Sequence, residues 1–191
     1  MTPTRAKPKP KPKPKSKSAA KLKAKGKPKA AALMSNRELA ETFVLIANLS
    51  EIKGEVIYKT LAYRRAAESL MSLGREASDY WKEGKLEEIP GVGKAISEKI
   101  DELLSTGKLT FLEKLKKEVP PSLAEWLAVP SLGPKKISLI WKTLKITTLP
   151  QLEKAARAGK LDGLPVMGPK SAAAIIAGIE SLARRSLRIP L

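Results

Sequence analysis

Fifteen residues, Leu86-Glu-Glu-Ile-Pro-Gly-Val-Gly-Lys-Ala-Ile-Ser-Glu-Lys-Ile100, constrain this chain more than any other stretch. An apolar residue and a proline lead into Gly-Val-Gly. Ile96, Ile100, Leu103 and Leu104 then recur at helical spacing. This pattern predicts two short helices joined by a tight turn, with Gly91 and Gly93 free to take positive φ and admit close backbone approach. It returns in weaker form at Val129-Pro-Ser-Leu-Gly-Pro-Lys-Lys136 and Leu164-Pro-Val-Met-Gly-Pro-Lys-Ser171. The prolines Pro90, Pro130 and Pro165 stand about 35–40 residues apart, an internal repeat of supersecondary size. Each unit is apolar on one face only, so it needs neighbours to bury that face.

The rest of the chain reads as short helices. Ser35 and Glu38 have capping-box spacing before a stripe of Leu39, Phe43, Ile46, Ala47 and Leu49, which predicts a helix over 36–50. Helices are expected over 56–73, 75–83, 109–118, 122–128 with Ser122 as cap, 134–144, 148–158 and 169–185. Leu144-Lys-Ile-Thr-Thr148 is the one candidate strand. Trp81, Trp126 and Trp141 fall at helical positions and are expected in the core. The fold class is all-α: repeated helix-hairpin-helix units behind a Lys/Pro-rich tail.

The formal charge is +18, and it is unevenly distributed: residues 1–32 hold 12 Lys and Arg and no acid. Alternating Lys and Pro exclude helix and favour an extended, disordered segment over 1–33. Such a tail adds salt-dependent affinity for a polyanion. The chain has neither Cys nor His, which removes disulfides, the usual zinc sites and His-based nucleophile activation. Its three Asp (Asp79, Asp101, Asp162) are far apart, so no Asp-x-Asp pair for two-metal nucleotidyl transfer exists. No apolar run approaches the ~20 residues that span a bilayer, and the start lacks the apolar core of a secretory signal. The expected setting is cytoplasmic and nucleoid-associated.

Exposed amides at a helix start, aided by the helix dipole, attract phosphate. The expected ligand of the three turns is therefore the sugar-phosphate backbone of DNA (gapped, nicked or double-stranded), bound without sequence reading. The candidate contacts are Gly91, Gly93 and Lys94 in the first turn, Gly133 and Lys135 in the second, and Gly168 and Lys170 in the third. Val166 resists positive φ and marks the third as the weakest. Turn carbonyls near Ile89 and Val92 could hold Na+ or K+; no other cofactor and no divalent metal site is expected. The chain is expected to be a monomer with no membrane partner.

Ala62-Tyr-Arg-Arg-Ala-Ala67 and the run from Gly84 to Leu109 closely resemble the N-terminal domain of the family X DNA polymerases. Glu51-Ile-Lys-Gly-Glu55 and the later hairpins are similar to the bacterial branch. The resemblance covers about 35–191 and implies a tail over 1–33, a helix-hairpin-helix domain over 34–108 and a second helical, fingers-like region over 109–191. Arg184 to Leu191 resembles the link into a catalytic palm, so the chain reads as the DNA-binding front of such an enzyme, expected not to polymerise alone. The resemblance further implies 5′-deoxyribose phosphate lyase chemistry in base excision repair. Lys99 matches the imine-forming lysine, Tyr63 a tyrosine that orients it or relays a proton, Lys59 a 5′-phosphate ligand, and Glu98 an acidic neighbour. Lys59 and Lys94 would supply the positive charge that helps the amine shed its proton. The chain departs from the pattern where Ala95 replaces a phosphate-binding lysine and Tyr58 a base-stacking histidine. Arg64 and Arg65 read as phosphate contacts. The alternative is a non-enzymatic helix-hairpin-helix DNA-binding protein with a histone-like tail.

Overall fold

The computed structural model describes residues 34–165 and 167–186. The tail over 1–33, Val166 and residues 187–191 lie outside the described residues, and with them the expectations about tail disorder, the strain at Val166 and the link to a palm.

The described residues are all-helical. Helix α1 (Asn36–Lys53) starts on the expected capping box: the Glu38 amide donates to Ser35 Oγ and the Ser35 amide to Glu38 Oε2 at 2.8 Å. The Ser35 amide, and after it the Ser35 hydroxyl, hold the Glu38 carboxyl below its ordinary value. The helix runs past the expected residue 50 because Ile52 is fully buried; Gly54, at φ 93°, is what stops it. Helices α2 (Ile57–Ser72) and α3 (Ala77–Glu83) follow. Asn36 ties the start of α1 to the start of α3 and the turn before it, since its Oδ1 accepts from the Ala77 amide at 2.7 Å and its Nδ2 donates to the Arg75 carbonyl at 2.9 Å. Then come α4 (Lys94–Thr106), α5 (Thr110–Glu118), α6 (Ser122–Glu125), α7 (Pro134–Leu144), α8 (Leu149–Arg157) and α9 (Pro169–Ser186). Short 3₁₀ turns at Leu86–Glu88 and Trp126–Ala128 precede the first two hairpin turns.

Two local expectations are corrected. Leu144–Thr148 forms no strand: Lys145 takes a left-handed conformation (φ 56°) that ends α7, and among the described residues there is no other strand to pair with. Ser122 is not a cap. It lies inside α6 behind Pro121, and its hydroxyl donates to the Thr147 carbonyl at 2.8 Å, fastening α6 to the segment before α8.

One apolar cluster runs from Leu39 to Ile179. Helix α1 is its spine and packs on α2, α5, α6 and α7. Of the three tryptophans, Trp126 is fully buried, whereas Trp81 and Trp141 are half-buried at the edge of the cluster. The indole of Trp81 donates to Asp101 Oδ1 at 2.6 Å, a polar partner on α4. Helix α9 carries Gly178 against the second hairpin turn, where a Cβ would meet Val129 Cγ1 at 2.8 Å and Pro130 Cδ at 3.0 Å.

Candidate nucleic-acid interface

The three turns are built on one hydrogen-bond ladder. In the first, the Ile89 amide donates to Leu86, the Val92 amide to Ile89, and the Ser97 amide to Gly93. In the second, the same steps run Val129 to Trp126, Leu132 to Val129, and Ile137 to Gly133. In the third they run Leu164 to Leu161, Met167 to Leu164, and Ala172 to Gly168. The apolar members of each ladder are buried, so the core fixes the turn from below. At the tips, Pro90, Gly91, Pro130, Ser131 and Pro165 are exposed.

Gly93 and Gly133 are the N-caps of α4 and α7, and Gly168 stands in the same place before α9. Gly93 does not use its freedom to take positive φ: it sits at φ −87°, ψ 176°, and Gly133 at φ −91°, ψ 168°, extended backbone that any residue adopts. A Cβ at Gly93, Gly133 or Gly168 would meet nothing within 4 Å. Neither conformation nor packing within the described residues requires glycine at these three caps. Gly91 is different. It has φ 75°, and a Cβ there would press on Ser69 Oγ at 3.3 Å and the Arg65 carbonyl at 3.5 Å, so the first tip is braced on α2. Its counterpart in the second turn, Ser131, takes φ 70° despite its side chain.

The amides of Gly93, Lys94 and Ala95 have no acceptor among the described residues, as expected for the first turn of a helix. No acid stands in the first turn of α4, α7 or α9, although an acid there would stabilise the helix. Lysines occupy those places instead: Lys94, Lys135 and Lys170 are exposed and make no ion pair among the described residues. Lys136 bends back and donates to the Ser131 carbonyl at 3.1 Å.

The residues assigned to chemistry lie on α2, α4 and α5. Tyr63 stacks on buried Phe43 (6.2 Å between ring centroids) and meets Phe111 at 6.1 Å. The Lys99 ammonium sits 5.0 Å from the Phe111 ring centre and donates to the Ala95 carbonyl at 3.1 Å. Phe111 thus joins Tyr63 to Lys99; no hydrogen bond links the two directly. Burial holds the Tyr63 hydroxyl above its ordinary pKa; the Lys59 charge opposes this and the Glu55 charge reinforces it. Lys59 pairs with Glu55 at 3.2 Å. The groups touching the Lys99 ammonium are therefore a carbonyl and a ring. Phe111 had no sequence signal of its own, because its place depends on how α5 docks.

Arg64 and Arg65 part company. The Arg64 guanidinium donates to Glu51 at 2.8 Å and Asn48 at 3.1 Å, and so ties α2 to α1. Arg65 is exposed and makes no ion pair among the described residues, and its carbonyl lies 3.5 Å from where a Cβ on Gly91 would stand. Tyr58 is also exposed, beside Ile57 and Leu61. A groove of about 660 Å³ between α1 and α2 is lined mainly by apolar groups, among them Val44, Leu45, Ala67 and Met71, and holds neither Lys99 nor a hairpin tip.

Residues 34–109 match the helix-hairpin-helix domain family. The chain is 31% identical over 158 residues to the DNA polymerase/3′-5′ exonuclease PolX of Bacillus subtilis (strain 168). That match covers 83% of this chain and 27% of the relative, so the chain spans about a quarter of that protein's length.

Proposed function

We propose, for a chain that carries a helix-hairpin-helix domain at 34–109 and is a relative of the family X DNA polymerases, that it grips DNA through backbone phosphates at the tips of its hairpins. The observation that carries this reading is the row of open cap glycines. Gly93, Gly133 and Gly168 face empty space in conformations that do not call for glycine, which is what close approach of an outside group to the backbone would require. Lys94, Lys135 and Lys170 beside them, without ion pairs among the described residues, add attraction for an anion, and contacts to phosphate position a duplex without reading its bases. The favoured substrate is gapped or nicked duplex, in a repair setting within the cytoplasm and nucleoid, with the protein acting as a monomer. The turn carbonyls near Ile89 and Val92 would hold Na+ or K+, which would supply positive charge for the phosphate.

The same reading gives Lys99 an imine-forming role on a 5′-deoxyribose phosphate. Its amine would attack C1′ of the open sugar and, with loss of water, form the imine. A proton then leaves C2′, the C3′–O bond breaks, and the DNA keeps a 5′ phosphate. Lys59 would hold that phosphate and Tyr63 would orient the amine. A purely binding role is the second reading; it is favoured by the departure at Ala95, where the resemblance has a phosphate-binding lysine.

Gly93→Val tests the grip. Gly93 has room for a side chain, so the melting temperature should hold while affinity for nicked DNA falls at least about tenfold, the weight of one or two charge-assisted amide–phosphate bonds. Unchanged affinity in the folded variant would remove the tip from the interface. Borohydride trapping on gapped DNA bearing a 5′-deoxyribose phosphate separates the two readings: loss of the adduct in Lys99→Ala, with binding retained, supports the lyase role. No adduct from the unaltered chain leaves binding alone.

A further inference from the structure

We infer that Phe111 is a positioning residue for Lys99, holding its amine at the place where the imine would form. This rests on the reading of Lys99 given above and adds a residue to it. Lysine is a long, freely rotating side chain, and an amine that wanders is a poor nucleophile for a carbon fixed on DNA. Two contacts confine this one: the Ala95 carbonyl one helical turn back, at 3.1 Å, and the Phe111 ring, at 5.0 Å. The carbonyl belongs to the same helix as Lys99 and sets no direction relative to the rest of the site. The ring does, because it is fixed in two ways.

Tyr63 meets one side of the ring, and Tyr63 is itself stacked on Phe43, which is fully buried. The row Phe43–Tyr63–Phe111 thus runs from the core to the surface, where Phe111 is 37% exposed. The backbone beside the ring is pinned by Glu102, whose Oε1 accepts from the Thr110 amide at 2.8 Å and from the Thr110 hydroxyl. Glu102 lies on α4 three residues after Lys99, so the helix that carries the amine also anchors the residue next to the ring. A cation over an aromatic face is attracted to it, yet the contact leaves the other side of the ammonium free to meet a ligand. A phenylalanine left more than a third exposed is poorly explained by core packing alone; a platform for the amine accounts for both its exposure and its bracing.

The test compares Phe111→Leu and Phe111→Met, which keep apolar volume without a ring, with Phe111→Trp, which restores one. Trapping rate on gapped 5′-deoxyribose phosphate DNA, affinity for the same DNA, and the Lys99 Cε resonance of ε-13C-lysine-labelled protein are measured for each. The resonance is assigned by its loss in Lys99→Arg. The expected result is trapping slowed roughly tenfold in the Leu and Met variants, affinity within about twofold, a Lys99 resonance released from its ring-current shift, and recovery of rate and shift in Phe111→Trp. Trapping at the parental rate in both ringless variants overturns the inference while leaving Lys99 as the nucleophile. Absence of trapping in the unaltered protein overturns the Lys99 reading and this inference together.

Discussion

Gly178 of α9 lies against Val129 so closely that a Cβ on it would stand 2.8 Å from the valine Cγ1 methyl. Val129 opens the second hairpin turn, so this contact couples that turn to the helix leaving the third. Gly178→Ala should destabilise the protein by about 1–3 kcal/mol, because Val129 and Pro130 are stiff and the helix must move away. Urea unfolding gives the value; a loss under a few tenths would mean that α9 shifts freely.

The two neighbouring arginines should separate in a salt titration. Arg65→Ala should weaken DNA binding and lower the slope of log affinity against log salt by about one, with stability unchanged. Arg64→Ala should do the reverse: it breaks the tie to Glu51 and Asn48, lowers the melting temperature and leaves the slope close to its starting value.

Deleting residues 1–33 should reduce affinity for DNA and flatten its salt dependence, since the segment contains a third of the Lys and Arg of the chain and no acid. Binding isotherms across salt concentrations provide the measurement. A slope equal to that of the intact chain would place the segment off the DNA.

The Glu102 carboxyl is held below its ordinary value, chiefly by the Thr110 hydroxyl and amide, with the Lys99 charge a smaller cause. A group depressed on folding adds stability above its unfolded pKa and loses it as pH falls through the folded one. The stability difference between the parent and Glu102→Gln should therefore be present at neutral pH and vanish in acid. The site is largely open to solvent, so the difference will be small. Denaturation at neutral and acid pH measures it.

Much of this architecture is legible in the residues themselves. Helix starts at Ser35 and Pro134 and stops at Gly54 and Gly107 follow from local chemistry that needs no tertiary information. So does the repeat, because its buried positions recur in register. What the sequence could not give are matters of docking. Ser122 looks like a cap until the Thr147 carbonyl is brought beside it. Gly91 and Gly93 look alike until α2 is packed behind one and nothing behind the other. Arg64 and Arg65 are equivalent until Glu51 arrives from α1. Phe111 meets Lys99 where the start of α5 docks on α4, with Glu102 accepting from the Thr110 amide.

Ser131 already carries a side chain in the left-handed region at the head of the second turn, and the chain contains no cysteine. A Ser131→Cys variant would thus possess a single thiol at an outward-facing apex, differing from the parent by one atom. A fluorophore or cross-linker attached there would report arrival at a duplex without touching the amides suspected of holding it.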